Sequence, residues 1–196
     1  MRVLSSVEIT VVLLVAFGIA GCSKSEDKIT TVKVKTKEKK TSNISLELGG
    51  WDKILELVKS HKGKVVVVDL WSNFCGPCKR EFPNLVNIHK TMEDQVACLS
   101  FNLDYEGIKG QPAESYREAV MAFLEKQDAQ FQHVFSNVLP EVIYNKLEIA
   151  SIPVVYVFDQ TGKIAKRFDN EQADKPEKEF TYQKDIIPFI ESLLKK

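Results

Sequence analysis

The chain has 196 residues, with 27 basic and 27 acidic side chains, three histidines, four cysteines and an apolar fraction of 44%. This is the composition of an ordinary globular protein about one domain long, and it excludes collagen-like, mucin-like and polytopic membrane classes. A formal net charge of zero gives no general attraction for nucleic acid, and four cysteines are too few for a disulfide-rich scaffold.

Residues 1–21 open with Arg2, continue in an apolar run from Ile9 to Ile19 and end in the small pair Ala20 and Gly21. This is the layout of a cleaved export signal; the run is short for the membrane-spanning helix of an uncleaved signal anchor. Ile19-Ala20-Gly21-Cys22 resembles the bacterial lipobox. That resemblance implies that Cys22 is lipidated and anchors the mature protein to a membrane of the cell envelope, facing the periplasm or another extracytoplasmic side. Ser23 stands where an aspartate would mark inner-membrane retention, which leans toward an outer membrane. Residues 22–43 then hold seven lysines, three acids and almost no large apolar side chains, so they read as a basic, flexible tether. Without Arg2 and the tether lysines, 19 of the basic groups remain; without Glu8 and the tether acids, 23 of the acidic ones remain. The expected domain, residues 44–196, is therefore mildly acidic.

In that domain strands and helices alternate. Ile44, Leu46 and Leu48 alternate with polar neighbours, the period of a half-buried strand, which Gly49-Gly50 interrupts. Trp51, Ile54, Leu55 and Val58 recur at helical spacing, and this helix stops near Gly63. Residues 65–70 form a nearly unbroken β-branched run, as expected of a central parallel strand covered on both faces. Asp69 is the exception in it: it lies either at an exposed strand end or in the core, where burial raises a carboxyl's pKa. A helix is expected over 76–92, kinked at Pro83, and a strand over 95–103. Pro112 opens a helix with Tyr116, Val120, Phe123 and Leu124 on one face, 131–135 is a short strand, and Pro140 opens another helix. Residues 154–158 and 163–168 flank the hairpin signal Asp159-Gln160-Thr161-Gly162. After a polar loop over 169–179, Ile186, Ile187, Ile190, Leu193 and Leu194 form the apolar face of a closing helix.

The chemistry is concentrated in Cys75-Gly76-Pro77-Cys78, where a buried strand gives way to a helix. The amino end of a helix offers partial positive charge and free N–H groups, which stabilise a thiolate. Two intervening residues let both sulfurs meet on the first turn. The pattern points to a reversible dithiol/disulfide in which Cys75 attacks a target disulfide and Cys78 resolves the mixed disulfide. Cys98, His61, His89 and His133 lack metal-ligand spacing, so no metal is expected. A purely structural bridge is disfavoured because so short a loop gains little chain-entropy stabilisation. Cys98, among Ala97, Leu99 and Phe101, reads as a small core residue.

Residues 71–79, from Trp71 to Lys79, resemble the thioredoxin superfamily, and the order of elements agrees over most of 44–196. The resemblance implies a thioredoxin-like α/β fold with a central mixed sheet flanked by helices and an αβ insertion before the cis-proline strand. It places Asp69 on the buried aspartate that assists proton transfer at the second cysteine, Pro83 on the helix-kinking proline and Pro153 on the cis-proline. Ile152 becomes the residue whose backbone pairs with substrate, and Trp71, Gly76 and Pro77 join the substrate surface. Glu81 and Pro83 resemble a narrower group, the exported, membrane-tethered TlpA/ResA-type reductases, in which Glu81 is a candidate catalytic group; a solvated surface glutamate is the other reading. The helix over 51–60 departs from that group's usual amino-terminal hairpin.

What this resemblance implies is a thiol:disulfide oxidoreductase acting on protein disulfides outside the cytoplasm, without a cofactor beyond the Cys75–Cys78 pair. The Gly76-Pro77 pair resembles reducing members, with cytochrome c maturation or disulfide repair as settings and a membrane thiol protein as electron donor. An oxidase or isomerase using the same site is the alternative, with a peroxidase or a non-catalytic interaction domain behind it. No nucleic-acid partner is expected, and the chain is expected to be a monomer.

Overall fold

The computed structural model describes residues 44–195; the expected signal segment, Cys22 and the tether lie outside them. The described chain runs β1 (Ser45–Gly49), α1 (Trp51–Ser60), β2 (Val65–Trp71), α2 (Gly76–Met92), β3 (Val96–Asn102), α3 (Arg117–Gln127), β4 (Gln132–Ser136), α4 (Pro140–Leu147), β5 (Val154–Phe158), β6 (Ile164–Phe168) and α5 (Ile187–Leu194). The strands form one sheet in the order β1-β4-β3-β2-β5-β6. The first four are mutually parallel, and β5 and β6 are antiparallel.

Every residue of β2 and β3 is buried, which is why both read as predominantly apolar runs, broken only by Asp69, Ser100 and Asn102, rather than as alternating ones. Their two faces feed separate apolar layers. Val65, Val67 and Trp71 pack with Phe82, Leu85 and Ile88 of α2, Val120 and Leu124 of α3, and Ile190 of α5. Val66, Val68 and Leu70 point the other way, onto Trp51, Ile54 and Val58 of α1 and Ile143 of α4. The alternation assigns Asp69 to the first of these layers.

The expected αβ insertion is present, and its strand lies inside the sheet. β4 pairs with β1 on one side and β3 on the other, so α3 and β4 widen the core instead of decorating an edge. The expected helix from Pro112 is divided: a single 3₁₀ turn, Ala113–Tyr116, precedes α3. The closing helix also begins earlier and differently, with a π-helical turn at Tyr182–Ile186. Thr181 caps that turn by accepting from the Lys184 N–H at 3.2 Å, while Asp185 accepts from the Thr181 N–H at 2.9 Å. Pro188 lacks an N–H and cannot continue a regular ladder back into the turn, so the wide turn and α5 join there. Gly63, at φ +98°, supplies the left-handed residue between α1 and β2.

Candidate active site

β2 ends at Trp71, and residues 72–75 carry the chain over the end of the sheet into α2. This loop is held by one carboxylate. Asp104 Oδ1 accepts from the Ser72 hydroxyl at 2.6 Å and the Asn73 N–H at 2.8 Å, and Oδ2 accepts from the Asn73 amide group at 2.7 Å. Asp104 is itself buried, and its N–H donates to Asn102 Oδ1 at 3.0 Å. Replacing Asp104 with alanine should take the acceptor from three donors, the Ser72 hydroxyl and the Asn73 N–H and side-chain amide, and cost about 2–3 kcal/mol. It should also raise amide hydrogen exchange at Asn73 and Phe74 above that of β2, which exchange mass spectrometry will read.

Cys75 is the N-cap of α2, and its sulfur accepts from the Cys78 N–H at 3.2 Å. Cys75 and Cys78 are joined as a disulfide with Cα atoms 5.3 Å apart. The two sulfurs differ in access: Cys75 is partly exposed and Cys78 is buried. Pro77 stands in the first turn, where a missing N–H costs nothing. A Cβ added at Gly76 would meet nothing nearer than Arg80 Nη1 at 3.8 Å, so the fold does not demand glycine there. Its effect is to keep the surface over the pair low.

The antiparallel register pairs Leu70 with Val154 and so brings the start of β5 beside the end of β2. The Ile152–Pro153 peptide is cis, and the Ile152 carbonyl oxygen lies 3.8 Å from Cys75 Sγ. Ser72, Phe74, Cys75, Leu103, Tyr144 and Ile152 enclose a shallow depression of about 240 Å³. Phe74, 75% exposed, is its outer wall. A larger cleft of about 530 Å³, lined by His61, Lys64, His89, Glu93 and Cys98 among others, opens near the amino ends of β3 and β4, away from this chemistry.

Asp69 is buried at the 2% level, so the exposed-end reading of its position is excluded. Burial raises its pKa to about 7; the Tyr182 hydroxyl, donating to Oδ2 at 2.7 Å, pulls it back, and the nearby Glu81 charge pushes it up. Its other oxygen, Oδ1, has no hydrogen-bond partner among the described residues. Glu81 is half-buried; its Oε2 accepts from the Asn84 amide at 3.1 Å and from the Tyr182 N–H at 3.2 Å. It therefore pins the π turn to α2 as well as placing a charge beside the buried pair.

Trp71 requires a correction. It was expected on the substrate surface, yet it has no exposed area. Its indole N–H donates to Ser100 Oγ at 3.1 Å, Ser100 Oγ is 2.7 Å from His133 Nδ1, and His133 Nε2 is 2.9 Å from the Ala129 carbonyl. The ring is fastened under the site and packs on Phe82 and Phe123. Burial lowers the His133 pKa to about 4, so the imidazole is neutral, with Nε2 as donor to Ala129 and Nδ1 as acceptor from Ser100. Cys98 is buried, directs its thiol at the Leu85 carbonyl at 3.7 Å, and has its pKa pushed up by burial and then by Asp69.

Sequence reasoning missed Tyr182, Asp104 and Ser72. Tyr182 lies 113 positions from Asp69 and carried no local signal. Asp104 did carry one, a carboxylate just past the end of a largely apolar strand. Among the described residues, no group of three His, Cys, Asp or Glu side chains is placed to hold a metal, and no helix is long and apolar enough to cross a membrane.

A thioredoxin-like family profile matches residues 63–164, from the turn between α1 and β2 to the start of β6. Thioredoxin-like protein YneN of Bacillus subtilis is 28% identical over 53% of this chain and 55% of its own length, so the chain spans about half of that relative. Thiol-disulfide oxidoreductase ResA of Bacillus thuringiensis is 26% identical over 91% of this chain and 94% of its own length. The crystal structure of the exposed lipoprotein thioredoxin Etrx1 of Streptococcus pneumoniae superposes with a TM-score of 0.50 at 20% identity, covering 69% of this chain and 90% of that one. The match takes in the cysteine pair, the buried Asp69 and the cis Pro153, and with it this chain belongs to the thioredoxin-like family.

Proposed function

We propose that the protein is a thiol–disulfide oxidoreductase that reduces protein disulfides outside the cytoplasm, held to a membrane by a lipid on Cys22. The observation that carries the chemistry is the asymmetry of the pair: a reachable Cys75 at a helix amino terminus and a sheltered Cys78 in the layer that contains Asp69. In the reduced enzyme the Cys75 thiolate attacks one sulfur of a target disulfide. A mixed disulfide forms and the first target sulfur leaves as thiolate. Cys78 then loses its proton and attacks Cys75 Sγ. The second target sulfur leaves, the Cys75–Cys78 disulfide forms, and two electrons have passed to the target.

Binding uses the same end of the molecule. The backbone of Ile152 beside Cys75, the low surface at Gly76 and Pro77 and the depression walled by Phe74 and Tyr144 suit an extended segment around the target cystine. Ionised Asp69 is the acceptor for the Cys78 proton, and Glu81 tunes it by charge. Residues 1–21 serve as signal and 22–43 as tether, with 44–196 as the catalytic domain, acting as a monomer. The ResA relative supports this assignment, and the lipobox-like run supports a place in the cell envelope, where a membrane thiol protein re-reduces the pair and cytochrome c maturation or disulfide repair consumes the electrons.

Equilibration of the Cys75–Cys78 couple with glutathione or dithiothreitol tests the direction. A potential below about −200 mV is expected, in the range of reducing members of this chemistry. A more oxidising value would reverse the assigned flow.

A further inference from the structure

We propose that Tyr182 is a positioning residue for the proton step: its hydroxyl holds Asp69 by one oxygen as an oriented carboxylate and leaves the other oxygen to take the Cys78 proton. The inference rests on the proposed oxidoreductase reading and assigns a function to a residue far from the cysteine motif. Tyr182 and Asp69 are both buried, and their oxygens are 2.7 Å apart. Because Tyr182 occupies Oδ2, Oδ1 is the oxygen left to take a proton, and it is buried without a hydrogen-bond partner among the described residues. The placement is built. Thr181 and Asp185 cap the π turn, and Glu81 of α2 accepts the Tyr182 N–H, so the turn that carries the phenol is tied to the helix that carries Cys78.

The step balances simply. While Cys75 Sγ is bonded to the target, Oδ1 takes the Cys78 S–H proton and Cys78 Sγ bonds to Cys75 Sγ. The bond to the target breaks and its sulfur leaves with the electron pair. The proton then passes from Asp69 to the departing thiolate or to water. The other ionisable groups that act on Asp69 are Glu81 from α2 and Cys98 from β3, Cys78 of α2 lies in the same apolar layer, and the register with β5 sets Val155 beside it. Burial and Glu81 oppose ionisation of Asp69, and the Tyr182 hydrogen bond is the contact that favours it. The phenol cannot take over as the base, since burial and then the Asp69 charge raise its own pKa well above the ordinary value.

The experiment is a carbon-13 NMR titration of the Asp69 carboxyl in the oxidised protein, where no active-site thiol titrates. Tyr182→Phe should move its midpoint up by about one pH unit, the scale of one hydrogen bond to a charged group. Incorporating 3-fluorotyrosine at position 182, a stronger donor, should move it down. An unmoved midpoint in either protein overturns the proposal, and the second protein decides the matter if the first does not fold. In single-turnover release of a glutathione mixed disulfide from Cys75, Tyr182→Phe should shift the pH profile upward by the same amount, and should shift nothing in an Asp69→Asn background. A wild-type protein that never releases glutathione would refute the oxidoreductase reading, while the carboxyl midpoints would still judge Tyr182.

Discussion

Cys78→Ser is expected to convert the protein into a trap. With Cys75 intact the attack on a target disulfide proceeds, but nothing within the site displaces the target, so a Cys75-linked mixed disulfide accumulates to near stoichiometry with the enzyme. Cys75→Ser should behave oppositely. A serine hydroxyl at the helix terminus is not ionised at neutral pH, and Cys78, 1% exposed, is too sheltered to attack a folded target. Disulfide reduction should fall by at least about 10³-fold, the scale of losing a nucleophile, and few adducts should form. Non-reducing electrophoresis with mass spectrometry checks both outcomes and identifies the partners. Equal trapping by the two variants would remove the assigned order of attack.

Asp69→Asn is the second large effect, and its sign depends on pH. The folded-state pKa of about 7 lies above the ordinary 3.8. Asp69 therefore supports folding most below pH 4, and that support is lost as pH rises toward 7. The loss is on the order of 4 kcal/mol at pH 8. Asparagine cannot ionise, and its amide oxygen still accepts from Tyr182, but its NH₂ would occupy the unpartnered Oδ1 site at a cost of about 1–3 kcal/mol. A net gain of about 1–3 kcal/mol is expected at pH 8, turning into a loss at pH 4. Denaturant unfolding of the oxidised protein at the two pH values checks the reversal. Resolution by Cys78 should be slower in this variant throughout, so stability and turnover move in opposite directions at pH 8.

How much of this was legible in the sequence follows from the range of each interaction. The cysteine pair, the helix it caps and the bounds of α2 are local consequences of residues 75–92, and they were read directly. Asp69 stood out because it broke an apolar run. Its burial follows from the four valines that precede it. The inserted α3 and β4 were expected, but the place of β4 between β1 and β3 depends on strand pairing across the sheet, which no local pattern encodes. Trp71 was misplaced for a related reason. A tryptophan beside the motif looks like surface until Ser100 and His133, from two other strands, are seen to tie its indole inward. Tyr182 belongs to a turn whose width depends on Pro188 and on Glu81, one nearby in sequence and the other a hundred residues away.

The tie from Trp71 through Ser100 to His133 also affects how the fold exchanges protons with its surroundings. His133 has a folded-state pKa near 4 against an ordinary 6.5, so it supports folding above pH 6.5 and withdraws that support, about 3 kcal/mol, as pH falls toward 4. Asp69 has the reverse dependence over nearly the same interval. Near pH 5.5 unfolding should therefore release one proton from Asp69 and bind one at His133, leaving little net uptake from these two groups. The floor of the site and its buried acid thus buffer each other, so the proton-transfer carboxyl is carried with little net change in stability from this pair across the mildly acidic range.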